Sequence, residues 1–134
     1  MEMHDDPNTQ QGYKADRYIK RREVRQALRA QAAELPGPEV ANVWFWQNPC
    51  KTFCDFCKLN GCTRTAQRPE GDGTIATEVE TNENTQLLAE VYTILHRHGK
   101  AFLFENQAPG SCPKAWDLRC MFELMQETGA RALP

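Results

Sequence analysis

Residues 82–99 read NENTQLLAEVYTILHRHG, and this stretch decides the fold. Leu87, Leu88, Val91, Tyr92 and Leu95 recur at the three- and four-residue spacing that places side chains on one face of an α-helix. An Asn or Thr near position 84 can cap its start, and Gly99 can close its end. KAFLFE (100–105) follows directly and reads as a short strand. On the upstream side TIATEVE (74–80) alternates Ile75, Thr77 and Val79, which predicts another strand, and TRTAQRPEGDG (63–73) before it is rich in turn formers.

Further out, EVANVWFWQ (39–47) is β-branched and aromatic and predicts a strand. Its unbroken apolar run, Val43 to Trp46, predicts burial on both faces. From Ala15 to Leu35 helix formers dominate, with a narrow apolar line of Val24, Leu28 and Leu35, and PGP (36–38) ends the helix. A last helix is expected over Pro113–Thr128, with Ser111 as its cap and Gly129 as its stop. Trp116, Leu118, Met121, Phe122, Leu124 and Met125 cover most of its circumference, so it is expected to be well buried.

The expected fold class is therefore α+β: a small single domain over residues 14–134, with three helices and a short three-stranded sheet carrying a cysteine-rich metal-binding loop. Residues 1–13 are polar without periodicity and read as a disordered tail. A chain of 134 residues buries a modest core, so a bound metal would add useful stability. Apolar residues at 40% and charged residues at 25% are ordinary for a globular protein, and a net charge of −2 makes no global case for nucleic acid. The polar, acidic start predicts no secretory signal, and no run approaches the apolar length of a membrane span. A cytoplasmic, reducing location is the expectation, where clustered cysteines favour metal over disulfides.

Four of the six cysteines, Cys50, Cys54, Cys57 and Cys62, fall within PCKTFCDFCKLNGC (49–62). Their spacing, C-x3-C-x2-C-x4-C, leaves gaps short enough to be turns, so one ion can be wrapped by the loop. Four thiolates at about 2.3 Å suit a closed tetrahedral Zn2+ site, and Gly61 supplies backbone freedom before Cys62. Folding of the loop would then be coupled to metal. Common zinc ribbons instead use two separated C-x2-C knuckles. A [4Fe–4S] cluster on four cysteines is the alternative cofactor.

Cys50, Cys54, Phe56 and Cys57 together spell C-x3-C-x-F-C, which resembles the signature of the radical S-adenosylmethionine enzymes. That resemblance implies three cysteines on a [4Fe–4S] cluster whose fourth iron binds the cofactor. It covers eight residues. No Gly-Gly-Glu motif follows, and the chain is short for the repeated βα units of that partial barrel.

Cys112 and Cys120 stand apart. Within one helix they would lie about 12 Å apart along its axis, too far for one ion. Cys120 has apolar neighbours and reads as core, whereas Cys112 is a possible alternative metal ligand in place of Cys62. His96 and His98 are two residues apart on a helix and point in different directions, so they read as cations at a helix end.

Charge is unevenly spread. Lys14, Arg17, Lys20, Arg21, Arg22, Arg25 and Arg29 face only Asp16 and Glu23 over residues 14–29, while Glu70, Asp72, Glu78, Glu80, Glu83 and Glu90 make residues 70–90 acidic. Lys51, Lys58, Arg64 and Arg68 add positive charge around the cysteines. Tyr18, Arg22, Arg25 and Arg29 are spaced by four, three and four, so they share a helical face. That face predicts binding to nucleic acid or to an acidic protein partner, or a solvated face offset by the acidic segment. No Ser-His-Asp order, phosphate-binding glycine loop or paired carboxylates appear, which leans away from an enzyme.

Overall fold

The structure is a computed structural model that describes residues 22–47, 52–53, 61–106 and 112–131. Its elements are α1 (Arg22–Ala32), β1 (Val43–Gln47), α2 (Ala76–Arg97), β2 (Ala101–Glu105), a 3-10 turn (Ala115–Asp117) and α3 (Arg119–Thr128). β1 and β2 pair in parallel, with Val43 opposite Ala101 and Gln47 opposite Glu105. α2 packs against α1, α3 and β2 and is the centre of the molecule. The α+β class with three helices holds among the described residues. The tail expected over residues 1–13 and the Ser111 cap lie outside them.

The periodicity of residues 87–95 does what its spacing dictates. Leu87, Leu88, Ala89, Val91, Tyr92 and Leu95 form one buried cluster with Ala32 of α1 and Met121 and Leu124 of α3. Leu28, Trp44, Trp46, Phe102 and Phe104 pack against it, so the helices cover one face of the sheet. Tyr92 stacks on Phe102 with ring centroids 4.4 Å apart and donates its hydroxyl to the Leu103 carbonyl. Burial pushes that hydroxyl well above the ordinary tyrosine range. Gly99 (φ 72) and Gly129 (φ 75) take the left-handed conformation that ends α2 and α3.

Four expectations are corrected. The sheet has two strands among the described residues, because residues 76–80 form the first turn and more of α2 rather than a strand. Asn84 accordingly lies buried inside α2, and Ile75 holds the cap position. The alternation of Ile75, Thr77 and Val79 misled because the buried stripe here is polar: Glu78, Thr81 and Thr85 continue the helical face. Thr81 and Thr85 return their hydroxyl protons to the carbonyls of Thr77 and Thr81, which makes their burial tolerable.

Second, β1 is not buried on both faces. Val43 and Phe45 are 63% and 64% exposed, as is Leu103 of β2 at 60%, because no described element covers that side. Third, the last helix starts at Arg119. Asp117 accepts the Lys114 N–H at 2.8 Å and closes a short turn, after which Leu118 is extended. Phe122 is exposed, so this helix buries one face only. Fourth, α1 ends at Ala32, before PGP, and Leu35 lies outside the apolar line in solvent. Lys100 fixes that end: its buried ammonium donates to the carbonyls of Gln31 and Ala32 at 3.0 and 3.2 Å. A cation on the last carbonyls of a helix is favoured by the helix dipole.

Candidate metal centre

Parallel pairing sends both strands out at the same end. In sequence Cys50 follows the end of β1 by three residues and Cys112 follows the end of β2 by seven. Cys50, Cys54 and Cys57 lie outside the described residues, as does Tyr18. Cys62 is half-buried and Cys112 buried. Among the described residues no three His, Cys, Asp or Glu side chains are grouped to hold a metal ion.

What the structure does describe is the chain that flanks residues 54–60 in sequence. Phe53, next to Cys54, is fully buried against Ala115 and Leu118, with Phe104 of β2 packed on the same cluster. The Arg64 guanidinium lies over the Phe53 ring, 3.9 Å from its centroid. Arg64 is itself buried. Its Nε donates to the Thr52 carbonyl at 2.8 Å and its Nη2 to the Thr52 hydroxyl at 3.2 Å and the Glu78 carbonyl at 3.3 Å. Its Nη1 donates to the Pro69 carbonyl and to Asn82 Oδ1, each at 2.7 Å. All five guanidinium N–H groups are thereby used.

Glu78 holds the other side. It is buried, accepts the Thr63 N–H at 2.9 Å and also takes the Thr63 hydroxyl. Thr63 Oγ1 accepts in turn from the Asp72 N–H at 2.9 Å. Gly71 (φ +80) passes so close that a Cβ there would sit 2.5 Å from Glu78 Oε1 and 2.6 Å from Thr63 Oγ1. Asp72 accepts from Thr74, and those hydrogen bonds hold its carboxyl below the usual range. Thr52–Phe53 and Thr63–Arg64 are therefore tied to each other and to the first turns of α2. Cys54 and Cys57 fall between these points in sequence, outside the described residues.

Sequence reading missed Arg64, Glu78, Thr63, Asn82 and Gly71. It took Arg64 for part of a basic patch, whereas this side chain is inside and consumed. A lone arginine in a loop leaves no periodic trace. Cys120 is half-buried and packs against both core clusters, as its apolar neighbours suggested, and burial pushes its thiol up to about 11. His98 Nδ1 lies 2.9 Å from the Ile94 carbonyl and His96 is exposed, which fits a helix-end role.

The basic line on α1 is only partly exposed. Arg29 donates from Nε and Nη2 to Glu90 Oε2 at 3.1 and 2.6 Å, binding α1 to α2. Arg22 is exposed and Arg25 half-buried. Leu28 of the apolar line packs on the protein's own core. A groove of about 460 Å³ between the helices is flanked by this pair and by Arg97–Glu127 at 2.9 Å. No described helix is long and apolar enough to cross a membrane.

Compared with known protein families, with curated proteins and with solved structures, the chain matches none. The class that can be stated is structural: a small α+β protein with three helices and a two-stranded parallel sheet among the described residues.

Proposed function

We propose that this chain is a small metal-binding module in which Cys50, Cys54, Cys57 and Cys62 hold Zn2+, and which binds nucleic acid or an acidic protein through α1. The observation that carries the metal reading is the anchoring of the flanking chain. Arg64 binds Thr52 and Glu78 binds Thr63, the residues that flank Cys54, Cys57 and Cys62 in sequence, through buried and part-buried hydrogen bonds. Such anchoring has a purpose if the segment must bring its thiols to one point, since preorganised flanks reduce the ordering that a metal must drive. Zinc in a closed thiolate site would be structural and would do no redox chemistry. A brown protein absorbing near 400 nm when purified without oxygen would replace zinc by an iron–sulfur cluster on the same ligands.

For the partner, support comes from the exposed Arg22 on α1, with Arg25 on the same helical line. Arg29 is already paired with Glu90, which leaves it a smaller share. Replacing Arg22 and Arg25 with glutamine is expected to weaken binding to single- or double-stranded probes and to flatten its salt dependence. Absence of salt-sensitive binding to any probe in the wild type would overturn the nucleic-acid reading and leave the acidic protein.

A further inference from the structure

The helices cover one face of the two-stranded sheet and leave the other to solvent. In the observed register Val43 lies opposite Ala101, Phe45 opposite Leu103 and Gln47 opposite Glu105. Side chains alternate along each strand, so these six stand together on the face away from the core. Trp44, Trp46, Phe102 and Phe104 occupy the inner face and pack on the core. All six outward residues are exposed, and Val43, Phe45 and Leu103 each keep more than half of their accessible surface. Parallel sheets as a rule have both faces covered, and a contiguous apolar face in water marks an interaction site.

Charge and size say what covers it. The face carries four apolar side chains, one amide and one carboxylate, and the two polar ones share one end. It has no cation to hold a phosphate backbone, and one carboxylate is too little to hold a basic partner. A second copy of the same face matches it in chemistry and in dimensions. With a two-fold axis passing between Phe45 and Leu103, the strands of the two copies run in opposite directions. The Glu105 carboxylate of each copy then lies over the Val43–Ala101 end of the other. Four residues at about 3.3 Å each separate Ala101 from Glu105, which keeps the two like charges at least about 13 Å apart, beyond a Debye length at physiological salt. Six side chains of this size expose on the order of 500 Å². Two such faces together bury about 1,000 Å², the lower end for specific interfaces, so the dimer is weak and depends on concentration.

We infer that the outward face of β1 and β2 is the interface of a two-fold symmetric homodimer centred on Phe45 and Leu103. The inference is independent of the metal reading, because none of these six residues is a candidate ligand.

Sedimentation equilibrium of the full chain, as purified and over a series of concentrations, tests it. The mass is expected to rise from that of one chain toward that of two. Phe45→Lys places like charges at the centre of the interface and should weaken the dimer about 30-fold, the effect of losing a central contact residue. Leu103→Ala adds no charge at an exposed site, so it keeps the fold and should weaken the dimer about tenfold. Phe122→Lys, on the exposed side of α3, should leave the dimer unchanged. A wild type that stays monomeric at every concentration overturns the inference and leaves the face to another part of this chain or to an apolar partner protein. A dimer that survives both face substitutions, or that Phe122→Lys dissociates, also overturns it.

Discussion

Replacing Arg64 with methionine keeps the stem of the side chain and removes all five donors. Of the acceptors it leaves, the Thr52 carbonyl belongs to a buried residue and cannot be re-solvated, while the Glu78 carbonyl keeps its helical partner in α2. Each orphaned buried acceptor costs about 1–3 kcal/mol. The Pro69 carbonyl and Asn82 are half-buried and can recover water, and losing the contact with Phe53 adds about 0.5–2 kcal/mol. Removing the burial penalty of the charge offsets part of this, so we expect a net loss of about 1–4 kcal/mol. Domains of this size have about 5–15 kcal/mol in total, so the loss is measurable against it. Urea denaturation of both proteins at the same total zinc measures it, with a fall in midpoint at unchanged slope. Arg64→Lys should recover less than half, because one ammonium cannot reproduce a planar fork. A loss below about 1 kcal/mol for Arg64→Met would refute the claim that this side chain holds Thr52–Phe53 to α2.

Other outcomes follow from the same geometry. Gly71→Ala is expected to destabilise by about 1–3 kcal/mol, since its φ of +80° and the contacts with Glu78 and Thr63 both oppose a Cβ; urea denaturation checks this. Glu78→Gln keeps the shape but puts an NH2 group where one carboxylate oxygen now accepts from Thr63, and should cost about 1–3 kcal/mol by the same assay. Cys120 should alkylate slowly at pH 8 and faster as the pH approaches about 11. Because its folded pKa is raised, the stability it contributes is present below the ordinary thiol value and lost as pH rises from about 9 toward 11. Mass spectrometry of the modified chain, with Cys120→Ala as control, reads that rate.

The second half of α2 was legible because its buried stripe is apolar: Leu87, Leu88, Val91, Tyr92 and Leu95 announce a period of 3.6. The first half was not, because Glu78, Thr81 and Thr85 fill the same stripe with polar groups that are satisfied locally or by Thr63. Hydrophobic periodicity cannot register such residues. β1 failed in the opposite sense. VWFW is apolar at every position, so nothing in the string distinguishes Trp44 and Trp46, which pack on the core, from Val43 and Phe45, which do not. The cysteine spacing was visible as a local pattern. The role of Arg64 was not, because it depends on Thr52, Glu78 and Asn82, which a local pattern does not connect to it.

The central proposal is that Cys50, Cys54, Cys57 and Cys62 hold one metal ion. Elemental analysis of the full chain beside Cys54→Ser and Cys57→Ser tests it most directly. Zinc at one equivalent per wild-type chain, lost in both variants, is the predicted result. A wild type without stoichiometric metal, or full metal content in both variants, would contradict it.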